Sequence, residues 1–168
     1  MTKLAFLSML VSISMCIFII EAQLPPITPF VGVKLGLSNV VVLITMLLMG
    51  GYEAALVLFL RILLSAVVLG QGIGVIYSLC GGLMAYTAML VLKRPLRRYV
   101  WVISVLGAIF HNIGQLIAAS FIMGNAMVFS YFPILLISAV LTGALTGIIA
   151  QSVILKSKYL NKLFSELR

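Results

Sequence analysis

The sequence predicts an all-α membrane protein, a bundle of six transmembrane helices. Of its 168 residues, 64% are hydrophobic and 8% are charged, and the mean hydropathy is +1.30. No soluble fold hides that much apolar side chain. A membrane-spanning helix needs about 20 largely apolar residues, and six such runs occupy residues 4–22, 35–50, 52–70, 73–92, 101–123 and 127–155. The connections are short, so we expect residues 1–168 to form a single integral membrane domain.

The first run, residues 4–22, is expected to be a retained span. It is long for the apolar core of a signal peptide, and no A-x-A cleavage site follows it. Its small residues Ser8, Ser12 and Cys16 recur every four positions. This spacing places them on one face of the helix and permits close approach of a second helix, either inside the bundle or from another subunit.

A proline-rich connection, residues 24–34, separates the first two runs. Pro25, Pro26 and Pro29 lack amide donors and stiffen the chain, so helix 1 is not expected to continue through them. Two interpretations are open. The connection is either a rigid linker or a lid over a cavity. In the second case Lys34 would point down toward a ligand, and Asn39 would be among the first cavity residues below it.

An arginine lies in the middle of the third run. Arg61 stays charged near the bilayer midplane and needs an anion or several acceptors. Three partners are possible: the carboxylate of Glu21, a bound anionic or acceptor-rich ligand, or backbone carbonyls of a broken helix. Glu53 is too close to the cytoplasmic end of the same helix and is expected to serve the helix N-terminus instead.

The remaining runs add a polar face and small-residue faces. His111, Asn112 and Gln115 lie within about a quarter turn of one another on helix 5. They either bond to neighbouring helices or line a binding cavity, and their position level with Arg61 favours the cavity. Close helix contacts are predicted where small residues recur every four positions, at Gly74, Ser78 and Gly82 in run 4 and at Gly143 and Gly147 in run 6.

Basic residues lie at the ends of the spans. The formal net charge is +8, carried by Lys3, by the cluster at residues 93–98 and by the tail after residue 155, among other positions. The positive-inside rule makes these three regions cytoplasmic, which six spans allow. Contact with anionic lipid, rather than with nucleic acid, explains the charge.

The acidic residues are too few for several kinds of chemistry. The chain has three Asp or Glu residues, all of them glutamates. Metal-assisted prenyl or phosphoryl transfer needs carboxylates, and no GxxxxGK[ST] phosphate loop is present. Cys16 and Cys80 lie in apolar runs without metal-ligand spacing. We therefore expect no enzymatic activity, no metal site and no cofactor.

Four blocks of the sequence resemble the Gx transporter family, which is also labelled heptaprenyl diphosphate synthase component I. They are VGVKLGLSNVVVLITMLLMG, ALVLFLRILLSAVVLGQG, IYSLCGGL and SVLGAIFHNIGQLIAA. That family is similar to the substrate-binding S components of energy-coupling factor (ECF) transporters. The resemblance implies an importer subunit of the bacterial cytoplasmic membrane that captures a small anionic or amphiphilic nutrient from outside.

The resemblance also implies partners and a site. S components dock on a coupling transmembrane subunit and two ABC ATPases through small residues of the first span, here Ser8, Ser12 and Cys16. They bind ligand near the outer surface, beneath the connection between spans 1 and 2. By this analogy the ligand candidates are Lys34, Asn39, Arg61, Tyr77, His111, Asn112 and Gln115.

Two other functions are considered. The synthase label suggests a non-catalytic membrane partner of a prenyl diphosphate synthase, contacting it through residues 93–98. A proton-driven secondary transporter is disfavoured, because the usual intramembrane carboxylates are missing and His111 is the one obvious titrating group there.

Overall fold

The structure is a computed structural model that describes residues 2–24, 34–70, 72–96 and 98–156. These ranges are mostly helical and contain no strand, which confirms the all-α prediction. The helices are α1 Thr2–Ala22, α2 Asn39–Leu48, α3 Gly51–Leu69, α4 Gly72–Leu92, α5 Val100–Met123 and α6 Phe132–Lys156, with a 3-10 helix at Ala126–Tyr131 before α6. Within the described ranges, five helices are long and apolar enough to cross a membrane. The chain is a multi-pass membrane protein.

The second apolar run differs from the prediction. It was expected to be helical from residue 35, whereas α2 begins at Asn39 and has 10 residues. At 1.5 Å per residue such a helix is about 15 Å long, roughly half of the hydrocarbon core. Residues 34–38, here called the entry segment, are not helical. The second crossing is therefore broken into an irregular part and a short helix.

The short helix α2 lies in the centre of the bundle, where it contacts α1, α3, α4, α5 and α6. Val42, Leu43 and Thr45 are fully buried, and Met46 is nearly so. Irregular backbone at membrane depth is tolerated only where protein surrounds it. The central position of α2 thus explains why its crossing need not be a full helix.

One end of the bundle gathers basic residues. Lys3 Nζ lies 2.7 Å from Glu53 Oε1, so α1 and α3 both begin at this end. Lys93 follows α4 there too, since its Nζ lies 3.8 Å from where a Cβ on Gly51 would be. The chain between α1 and α3 must consequently recross the bundle, which agrees with the alternating topology expected from the charges.

Glycines set the closest helix contacts. A Cβ on Gly147 would lie 2.5 Å from Trp101 Cα, and one on Gly143 would lie 2.7 Å from Val105 Cα. Because these neighbours are backbone atoms, any side chain would force α5 and α6 apart. The prediction of a close contact at Gly143 and Gly147 is confirmed.

Candidate functional site

A cluster of polar side chains surrounds the entry segment inside the apolar bundle. It consists of Glu21 from α1, Arg61 from α3, His111 and Gln115 from α5, and Lys34, Ser38 and Asn39 from the segment and the start of α2. Arg61 and His111 are each 2% exposed, Gln115 1% and Glu21 4%. We call this group the polar cluster.

Side chains of α1 and α5 hold the backbone of the entry segment. The amide of Gly36 donates to Glu21 Oε1 at 2.5 Å, and the amide of Lys34 donates to Gln115 Oε1 at 3.3 Å. The hydroxyl of Ser14 lies 3.5 Å from the carbonyl oxygen of Ser38 and donates to it. These side chains replace the hydrogen bonds that a regular helix would have supplied.

Sequence reasoning missed the structural role of Ser14 and Phe18. Ser14, Phe18 and Glu21 stand at positions i, i+4 and i+7 of α1 and are all buried. This is the spacing of one helix face. The i, i+4, i+7 spacing is visible in the sequence, but the four-residue spacing of Ser8, Ser12 and Cys16 on another face of α1 is more regular.

Arg61 reaches the entry segment from α3. Its Nη1 donates a hydrogen bond to the Ser38 hydroxyl. Within the described part of the chain Arg61 forms no ion pair, and its Nε and Nη2 have no hydrogen-bond partner. Among the three partners considered for Arg61, neither direct pairing with Glu21 nor bonding to broken-helix carbonyls is therefore formed.

Two cations share one aromatic ring in the cluster. Lys34 Nζ lies 3.8 Å from the centroid of the Phe18 ring, and Arg61 Cζ lies 5.5 Å from it. The ring face attracts both cations. Lys34 Nζ has no hydrogen-bond partner among the described residues, so positive charge accumulates next to Phe18.

His111 and Asn39 form the deep side of the cluster. Asn39 Nδ2 lies 3.0 Å from His111 Nδ1, within hydrogen-bond distance. The imidazole fits between two glycines. A Cβ on Gly36 would lie 2.7 Å from His111 Cδ2, and one on Gly81 would lie 2.9 Å from its Cε1.

Two of the seven candidate residues lie elsewhere. Asn112 Nδ2 donates to the carbonyl of Leu135 at 2.9 Å and joins α5 to α6. Tyr77 is 3% exposed and packs in an apolar cluster with Leu116 and Val128. The structure thus brings Lys34, Asn39, Arg61, His111 and Gln115 together around the entry segment and places Tyr77 and Asn112 in other contacts.

The cluster keeps several buried polar atoms without hydrogen-bond partners in the described ranges. A cavity of about 10 Å³ beside Gly36 and Asn39 has room for one water molecule at most, and Glu21, Lys34 and Arg61 do not line it. Leaving such an atom unpaired costs about 1–3 kcal/mol, so a concentration of them points to a binding role. They are Glu21 Oε2, Lys34 Nζ, Asn39 Oδ1, Arg61 Nε and Arg61 Nη2.

The candidate contact face on α1 points outward. Ser8, Ser12 and Cys16 are exposed, and the two hydroxyls donate to carbonyls of their own helix at 3.0 and 2.9 Å. An apolar groove of about 360 Å³ runs beside them between α1 and α3. No described helix covers this face, so it is available to lipid or to another subunit.

Some predicted features lie outside the described residues. These are positions 25–33 of the expected lid, Arg97 of the basic loop and the tail after residue 156. Among the residues that are described, no group of three or more His, Cys, Asp or Glu side chains is placed to hold a metal ion.

Comparison with known proteins gives one match. A family model described as heptaprenyl diphosphate synthase component I matches residues 10–153. No curated protein and no solved structure matches the chain.

Proposed function

The chain belongs to the heptaprenyl diphosphate synthase component I family, and from this membership we propose that it is the non-catalytic membrane partner of a prenyl diphosphate synthase. The family match over residues 10–153 carries the proposal. The chain has three acidic residues and no aspartate. Prenyl transfer depends on carboxylates that hold divalent metal, so the chemistry belongs to the partner.

The basic loop between α4 and α5 is the proposed contact with the synthase. Arg94 and Arg98 are exposed, and Lys93 is partly buried at the same end of the bundle as Lys3. Exposed guanidinium groups bind carboxylates of a partner surface in a bidentate manner. Such a contact would hold a soluble synthase at the membrane, where its long apolar product partitions.

Mixing the purified chain in nanodiscs with the host's polyprenyl diphosphate synthase tests this function. We expect product formation to rise, and substitution of Lys93, Arg94, Arg97 and Arg98 by Gln to abolish the rise. Lys3→Gln is the matched control, since it removes a cation at the same end outside the loop. An unchanged synthase rate with the wild-type chain would contradict the proposal.

The polar cluster favours a second function, that of a substrate-binding S subunit in an ECF-type importer. The ligand would be a small anionic or amphiphilic nutrient, and the partners a coupling transmembrane subunit and two ABC ATPases. Buried cationic groups with unpaired N–H donors among the described residues support a ligand site. The outward face of Ser8, Ser12 and Cys16 supports a docking face.

Co-expression with a coupling subunit and its ATPases tests the second function. We expect the three partners to co-purify with the wild-type chain and to be lost when Ser12 is replaced by Leu. Ile13→Leu is the control, because Ile13 is already large and is 42% exposed on the same helix. Failure of the wild-type chain to capture the partners would count against import.

A further inference from the structure

We infer that the polar cluster binds a monocarboxylate that carries a hydrogen-bond donor next to its carboxylate, and that it discriminates against diphosphates. The inference rests on the ligand-binding role proposed for the cluster and names its ligand class. Three observations carry it: the free edge of one guanidinium, the balance of charge, and two acceptor oxygens without donors.

The free edge belongs to Arg61. Its Nη1 is engaged by Ser38, whereas Nε and Nη2, the two donors on the side edge of the guanidinium, have no partner in the described chain. Two parallel N–H donors on one edge match the two oxygens of a carboxylate. Gly82 of α4 packs close to this edge, since a Cβ there would lie 3.7 Å from Nη2 and 2.9 Å from Leu58 Cδ1.

The charge balance limits the ligand to about one negative charge. Lys34 and Arg61 contribute two cations over the ring of Phe18, and Glu21 is the carboxyl group facing the same entry segment. With Glu21 ionised, a monoanion makes the buried group neutral, which removes the cost of an uncompensated charge. A phosphate monoester already carries about −1.5 to −2 at pH 7, and a diphosphate carries more, so it would leave excess negative charge beside Glu21.

The two free acceptors require a donor from the ligand. Glu21 Oε2 and Asn39 Oδ1 have no donor among the described residues. Glu21 accepts a hydrogen bond from Gly36, Arg61 donates one to Ser38, and Asn39 is the next residue in the sequence. The unpaired donors and acceptors of the polar cluster therefore belong to the entry segment, to Asn39 or to side chains bonded to the segment. A hydroxyl next to the carboxylate supplies the missing donor and keeps the ligand a monoanion, whereas a fully ionised diphosphate offers acceptors alone.

Equilibrium binding with three probes of equal tail length tests the inference. The probes are octanoate, 2-hydroxyoctanoate and octyl diphosphate, titrated calorimetrically against the full chain in nanodiscs of neutral lipid. We expect 2-hydroxyoctanoate to bind about tenfold more tightly than octanoate, the worth of one hydrogen bond, and octyl diphosphate to bind most weakly. Equal or tighter binding of octyl diphosphate overturns the inference, and so does binding of none of the probes at millimolar concentration.

Three variants separate the ligand class from general destabilisation. Glu21→Gln should tighten octyl diphosphate binding about tenfold, because it removes the opposing carboxylate while keeping an acceptor for Gly36. Arg61→Lys keeps the charge but loses the paired donors, and should weaken 2-hydroxyoctanoate about tenfold. Lys3→Gln, at the other end of α1, should change neither affinity. An unchanged affinity for octyl diphosphate in Glu21→Gln would contradict the charge argument.

The probe-binding experiment and the synthase assay test different proposals, and either can fail without the other. A chain that stimulates the synthase and binds no probe overturns the ligand class alone. Probe binding in the expected order without stimulation removes the synthase role and leaves the ligand class standing.

Discussion

Glu21, at the end of α1, accepts a hydrogen bond from the amide of Gly36 across the broken second crossing, with an N···O distance of 2.5 Å. The bond joins a carboxylate to a backbone amide that has no hydrogen-bond partner within a helix. It gives an intramembrane glutamate a structural role that composition does not reveal. The second carboxylate oxygen has no hydrogen-bond donor in the part of the chain that the structure describes.

Removing this acceptor should destabilise the protein. Glu21→Ala leaves the Gly36 amide buried without a partner, at a cost of about 1–3 kcal/mol, whereas Glu21→Gln keeps a carbonyl acceptor and should cost less than half as much. Thermal denaturation in detergent measures both. Equal loss in the two variants would show that charge, rather than the hydrogen bond, stabilises the entry segment.

Gly36 should tolerate no side chain. Its φ is +77°, and an added Cβ would meet His111 Cδ2 at 2.7 Å. Gly36→Ala should therefore cost about 1–2 kcal/mol for the left-handed backbone and further free energy for displacing the imidazole. Gly124→Ala isolates the first effect, because Gly124 has φ +62° with nothing within 4 Å of an added Cβ. The same unfolding midpoint for both variants would refute the steric argument.

Gly147 should be equally intolerant for a different reason. Its added Cβ would lie 2.5 Å from Trp101 Cα, and a backbone atom cannot rotate away. We expect Gly147→Ala to cost about 1–3 kcal/mol, as overpacking of a close contact does. Gly72→Ala is the comparison, since nothing lies within 4 Å of its added Cβ, and it should be neutral or slightly stabilising. The unfolding midpoints in detergent decide between these outcomes.

The ion pair between Lys3 and Glu53 should contribute little. The Lys3 side chain is 48% exposed, although that of Glu53 is 13% exposed. A pair with one end in solvent is screened, and we expect it to be worth about 1 kcal/mol at most and to weaken with salt. Lys3→Gln should lower the unfolding free energy by less than about 1 kcal/mol at low salt, and the difference should shrink in 0.5 M NaCl. A larger, salt-independent loss would mean that Lys3 has a buried role.

Some features followed from the sequence because they depend on residue type and spacing. Apolar run length predicts the five long helices, and the four-residue interval at Gly143 and Gly147 predicts the close approach of α5 and α6. The sequence also indicated that the intramembrane Arg61 needs hydrogen-bond acceptors, because a guanidinium stays charged inside a membrane. Its actual partner, Ser38, was not identifiable, since their meeting depends on where α2 starts.

Other features depended on tertiary contacts. The length of the apolar run could not show that residues 34–38 are not helical. A run of apolar residues has the same sequence pattern whether lipid or protein surrounds it. Gln115 and Asn112 lie three residues apart in the sequence, yet Gln115 bonds to the entry segment and Asn112 bonds to α6. Only the tertiary structure shows that the two side chains have different partners.

By itself, the sequence determined that the chain resides in a membrane, that its spans are flanked by positive charge, and that it contains three glutamates and no aspartate. These properties are sums over residue types and need no coordinates. The tertiary structure alone decided that the second crossing is broken and that Glu21, Gln115 and Ser14 hold it. The physical reason is that a buried backbone group must find a partner, and packing determines which side chain is within reach.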